Sequence, residues 1–138
     1  MIDPQKKLIK LATECAKRID LNGYKDNRAG TVAAAILSTA GHIYTGINVH
    51  TACDLGFCAE ASAISDMLKH GESEIRMIVA VTYHGEIIPP CGRCREFMVQ
   101  VNTKNLAAKI LIDKKTVKTL ADLLPYNWEV SKKTGAIS

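Results

Sequence analysis

Residues 75–83, Ile-Arg-Met-Ile-Val-Ala-Val-Thr-Tyr, form a run rich in β-branched and apolar side chains with little polar alternation. Successive side chains of a strand point to opposite faces, so a strand apolar at both parities has to be covered on both. The run predicts a central strand with layers on either side. His84-Gly85 then predicts a turn that carries the chain toward Ile87 and Ile88.

The rest of the chain supplies those layers. Leu8, Leu11, Ala12, Cys15 and Ile19 recur at helical spacing behind the start signal Asp3-Pro4, which predicts a first helix ending near Asn22 and Gly23. Cys15 falls on that apolar stripe and reads as a small buried hydrophobe. Residues 31–37 and 43–49 are short β-prone runs joined through a turn over 38–42 that contains Gly41, a predicted antiparallel pair. Residues 58–70 have high helix propensity, with Ala61, Ile64, Ser65 and Leu68 on one side and Gly71 as a stop. A third helix is predicted over 91–101 after Pro89-Pro90, a strand over 109–112, and a helical turn over 119–124 halted by Pro125. The order α, β, β, α, β, α, β implies a mixed sheet with helices on its faces. No repeat, linker or low-complexity segment interrupts it.

At 138 residues the chain suits one domain over 1–138. An apolar fraction of 47% beside 23% charged residues disfavours disordered and fibrous classes. The net charge of +4 comes from lysines and arginines scattered from Lys6 to Lys133, the pattern of a solvated surface and not of a nucleic-acid face. Lys6, Lys7, Lys10 and Glu14 interrupt the opening segment, so no export signal or membrane span is read there, and a cytoplasmic protein is expected.

Five cysteines without an export signal fit a disulfide framework poorly and point to metal ligation. Three of them fall into a pattern, Cys58-Ala59-Glu60 and later Pro90-Cys91-Gly92-Arg93-Cys94. Cysteines at i and i+3 where a helix begins direct both sulfurs toward one tetrahedral ion, and the positive end of the helix favours thiolate. Cys58 has the same setting on the preceding helix. Three protein ligands leave one tetrahedral position for a fourth group, which marks a catalytic Zn²⁺ site, one per chain, and not a structural one. Glu60, two residues after Cys58, is free of the metal and placed to carry protons. The alternatives are a fold-stapling cluster with Glu60 on the surface, or a zinc module that binds nucleic acid.

These motifs resemble the cytidine deaminase superfamily, in which the C-x-E and P-C-x-x-C pair marks zinc-dependent base deaminases. The resemblance runs over about residues 24–128. It includes Thr45-Gly46-Ile47-Asn48-Val49, similar to the strand leading to a sugar-binding Asn, and Leu123-Leu124-Pro125, similar to a C-terminal element. It implies a three-layer α/β/α sandwich with a mixed central sheet, and hydrolysis of a cytosine ring to a uracil ring with release of ammonia. Cys rather than His before Ala-Glu resembles the branch acting on free nucleosides. Thr31, Asn48, His50 and the backbone N–H of Ala59 are the implied substrate contacts, and a homotetramer is the implied assembly.

Three positions differ from ordinary cytidine deaminases. His50 stands in place of a ribose-gripping Glu, Gly30 in place of an aromatic residue, and Ala61 in place of an Arg that offsets thiolate charge. With Pro90-Cys91-Gly92-Arg93-Cys94-Arg95 and the aromatics Tyr126 and Trp128 after Leu-Leu-Pro, these are more like the blasticidin S deaminases of the superfamily. Tyr126 and Trp128 are expected either to cover the ligand or to form a core or subunit contact. Arg93 or Arg95 is expected to replace the missing Arg. The substrate is accordingly cytidine, deoxycytidine, a blasticidin S-like analogue or another amino-heterocycle.

Overall fold

The computed structural model describes residues 3–128. In chain order the elements are α1 (Pro4–Cys15), β1 (Ile19–Asp20), β2 (Arg28–Ser38), β3 (Ile43–His50), α2 (Ala59–Lys69), β4 (Ile75–Thr82), β5 (Ile87–Ile88), α3 (Gly92–Val101), β6 (Lys109–Leu111), β7 (Val117–Thr119) and α4 (Leu120–Leu123). Single 3-10 turns lie over Ala52–Asp54 and Thr103–Ala107. The expected domain over 1–138 extends past the described residues at both ends, and Lys133 lies outside them.

Strand β4 is central, as its composition requires. It pairs antiparallel with β2 along one edge, and on the other runs parallel to β6 and antiparallel to β5. The β2–β3 hairpin turns at Ser38, whose N–H donates to the His42 carbonyl at 2.8 Å. Strand β7 closes the far edge by pairing with β6.

The alternation of side chains along these strands divides the interior in two. Ala34, Ile36, Ile78, Ala80 and Ile110 face α2, α3 and α4, packing with Ala63, Ile64, Met67, Met98 and Leu120. Ala35, Leu37, Met77, Val79, Val81 and Leu111 face the opposite way, onto Leu8 and Ala12 of α1. The sheet is thus the middle of three layers, and full burial of each Val, Leu, Ile or Met side chain among these contributes about 1.5–3 kcal/mol.

Two expectations are corrected. Helix α1 stops at Cys15 instead of continuing to Asn22: Ala16 is extended, the Lys17 N–H donates to the Gly30 carbonyl at 2.9 Å, and Ile19 and Asp20 pair with Ala29 and Arg28. Edge pairing overrides the helical periodicity there, and Cys15 is only half-buried. Gly30 makes the crossing possible, with φ +78° and a would-be Cβ 2.0 Å from the Lys17 carbonyl oxygen. Helix α2 buries Ala59, Ala63, Ile64 and Met67, whereas Leu68 is 44% exposed, so its inward face is rotated from the expected Ala61–Leu68 stripe. Among the described residues no helix is long and apolar enough to cross a membrane.

Candidate active site

Helices α2 and α3 start side by side on one face of the sheet, and the cysteines sit at those starts. Cys58 is the N-cap of α2 and Cys91 the N-cap of α3, both extended, and neither side chain makes a capping hydrogen bond. Cys94 follows in the first turn of α3 and is buried. The three sulfurs lie within 4.8 Å of one another, those of Cys58 and Cys91 being 3.7 Å apart.

That spacing fits a tetrahedral zinc. With Zn–S bonds of about 2.3 Å, two sulfurs of one tetrahedron stand roughly 3.8 Å apart. Burial pushes the Cys58 thiol up, and burial together with the charge of Glu60 pushes Cys94 up. For Cys91 burial also acts upward, but it is outweighed by the Cys94 N–H and the neighbouring thiols, which leave it below the ordinary thiol range. A cation bound between the sulfurs would favour the thiolate form of all three.

Glu60 lies in the first turn of α2 and is 5% exposed. Burial raises its carboxyl above the usual carboxylate range, against the pull of its own backbone N–H and of the Cys94 thiol. It opens with Cys58 and Cys91 onto a cavity of about 420 Å³. Asn48, His50, Ala59 and Arg93 line the same cavity.

Thr31 is not in that lining and acts behind it. The Asn48 Nδ2 donates to Thr31 Oγ1 at 3.0 Å, and the Val32 N–H donates to Asn48 Oδ1 at 2.9 Å, so strand β2 fixes the orientation of the amide. Arg95 also lies outside the lining: its guanidinium donates to the Pro90 carbonyl at 2.9 Å and the Leu123 carbonyl at 3.3 Å, tying the start of α3 to α4. Tyr126 is 91% and Trp128 44% exposed, and neither lines the cavity; the Trp128 N–H donates to Glu96. A second cavity of about 300 Å³ shares Cys58 and Arg93 with the first and has Cys94, Ala61 and Phe97 in its wall.

Sequence reasoning missed the segment between β3 and α2. Thr51, Asp54, Phe57 and, from beyond β5, Pro89 line the cavity. Phe57 and Val49 exchange two backbone hydrogen bonds of 3.0 Å, and a Cβ on Gly56 would stand 1.9 Å from the Val49 carbonyl oxygen. The glycine was the only signal available, since the segment has no periodicity.

Three sulfur donors beside a shielded carboxylate are the donor set of a metal-assisted hydrolase. Residues 4–109 match the family model described as the cytidine and deoxycytidylate deaminase zinc-binding region. The chain is 32% identical over 96 residues to a cytidine deaminase of Mycobacterium tuberculosis, covering 68% of this chain and 69% of that one. It is 30% identical over 131 residues to a blasticidin-S deaminase of Bacillus cereus, covering 88% and 89%. The crystal structure of cytidine deaminase from Mycobacterium leprae superposes with a TM-score of 0.75 at 29% identity, over 91% of this chain and all of that one (100%). The chain belongs to the cytidine and deoxycytidylate deaminase family.

Proposed function

We propose that this protein is a zinc-dependent hydrolytic deaminase of cytosine nucleosides, with cytidine, deoxycytidine and blasticidin S-like analogues as the substrate class. The observation that carries the reading is the shared wall of one cavity: Glu60 beside the sulfurs of Cys58 and Cys91, with Asn48 held at a fixed orientation by β2. In the reaction a water oxygen bonds to C4 of the ring, the bond from C4 to the exocyclic amino group breaks, and ammonia leaves. Cys58, Cys91 and Cys94 hold one Zn²⁺, which when bound supplies Lewis acidity that makes water nucleophilic near neutral pH.

The protein's own groups do the rest. Glu60 takes the proton from water, passes it to the ring nitrogen, and delivers a proton to the departing amino group. The Ala59 N–H, at the positive end of α2, donates to the base carbonyl. Asn48, braced by Thr31, and His50 orient the sugar, while Tyr126 and Trp128, exposed and outside the cavity wall, are assigned to a subunit contact. Arg93, in the wall of both cavities, compensates thiolate charge in the space left by Ala61. Arg95 supports it from behind through the Pro90 carbonyl. We assign the chain to one catalytic domain that assembles as a cytoplasmic homotetramer, which light scattering tests.

The decisive experiment replaces Glu60 by Ala. Zinc content and fold are expected to persist while ammonia release from cytidine and from blasticidin S is lost; full activity in the variant sinks the mechanism. Comparing the two substrates on the wild type decides between the two kinds of relative.

A further inference from the structure

We infer that Thr51 is a specificity-determining residue of this site, its hydroxyl hydrogen-bonding a sugar hydroxyl of the bound nucleoside. The inference rests on reading the cavity as a nucleoside site. Thr51 directly follows the last residue of β3 and lines the cavity together with Asn48, His50 and Asp54. Its Oγ1 is shielded from solvent and has no hydrogen-bond partner, alone among the buried side-chain oxygens and nitrogens of the described residues.

Elsewhere the fold satisfies such groups in full. Asn105, buried between α3 and β6, accepts from the Ile75 N–H and donates to the Ser73 and Met98 carbonyls. A shielded hydroxyl left unpaired is unfavourable and uncommon, so its presence in a cavity wall calls for a partner that arrives from the cavity. A threonine side chain can present that hydroxyl by a step between staggered wells, which carries Oγ1 into the position held by Cγ2 or by Hβ.

The chemistry of the partner follows from the neighbours. With the reacting ring held where Glu60 and the sulfurs meet, the polar side chains of the wall contributed by the end of β3 and the segment after it are Asn48, His50, Thr51 and Asp54, which are left for the rest of the nucleoside. A hydroxyl both donates and accepts, and so matches another hydroxyl in either sense. Valine at this position has the same shape without that capacity.

The test is steady-state kinetics on zinc-loaded protein with cytidine, together with the melting temperature of the ligand-free protein. Thr51→Val is expected to lower kcat/KM by roughly three- to tenfold, the worth of one neutral hydrogen bond, and Thr51→Ser to restore most of it. Ligand-free Thr51→Val is expected to melt no lower than the wild type, because it gives up no hydrogen bond. Unchanged kcat/KM in Thr51→Val overturns the inference, as does a lowered melting temperature, which would make the hydroxyl a structural group. A wild type that releases no ammonia from any cytosine nucleoside instead overturns the reading of the site itself, and the inference falls with it.

Discussion

Helices α2 and α3 begin at cysteines that cap nothing, whereas α4 begins at a threonine that caps in both directions. The Thr119 hydroxyl accepts from the Asp122 N–H at 3.2 Å while the Asp122 carboxylate accepts from the Thr119 N–H at 3.1 Å. Helix α4 spans four residues and needs that local support. Helices α2 and α3 are longer and are held by Ala63, Ile64, Met67, Met98 and Val99 in the core. Where tertiary packing holds a helix, its N-terminus is released from capping and can be given to chemistry. A side-chain cap is worth about 1 kcal/mol, a small sacrifice beside the burial that replaces it.

The contrast can be broken at either kind of helix start. The largest effect is expected from Glu60→Ala, a loss of roughly 10²–10⁴ in the rate of ammonia release at unchanged zinc content. A variant that keeps its rate would deprive the α2 start of its function. Next comes the metal itself: Cys94→Ser, or chelation of the wild type, is expected to lower both zinc per chain and the melting temperature, since metal affinity adds to folding stability. Metal analysis and a thermal melt check this, and an unaltered melt after zinc removal would show that the α2 and α3 starts need no occupant.

At the α4 start the expected effects are smaller and confined to stability. Thr119→Ala should cost about 1 kcal/mol by urea denaturation and leave kcat within roughly twofold. A large kinetic loss would mean that α4 belongs to the site. The smallest effect is one of pH. The Thr119 N–H, with its hydroxyl, holds the Asp122 carboxyl below the usual range. Its contribution is therefore complete above the unfolded value of about 3.9, and fades as pH falls below it and the unfolded chain takes up the proton first. The penalty of Asp122→Asn should shrink accordingly between neutral and strongly acid pH; a constant penalty would place the effect in shape and not in charge.

Much of this was legible in the sequence where a pattern had a period or a fixed spacing. The apolar run at 75–82, the hairpin of β2 and β3, and the helices that follow Cys58 and Cys91 all have such patterns. So does the trio Cys58, Cys91 and Cys94 with Glu60, whose convergence depends on two helix starts already marked in the chain. The end of α1 was misread because Ile19 continues the helical spacing, while its actual partner, Ala29, is a long-range neighbour that no local pattern announces. Strands β1 and β7 are short edge strands and carry too little alternation to be seen. Thr51, Asp54 and Phe57 were missed for a related reason: their position depends on the bridge between Val49 and Phe57, a contact made through backbone atoms that are the same in every residue.

That bridge has a consequence for binding. By joining Val49 to Phe57 it turns residues 50–56 into a closed loop, and the entropy of closing a loop is lost when the chain folds. His50, Thr51 and Asp54 thus meet a ligand already confined, and association need not order them again. A side chain at Gly56, pressed against the Val49 carbonyl, would unfasten the loop and transfer that entropic loss to the moment of binding. The pocket would then be weakened through its freedom of motion, with every group that touches the ligand still present.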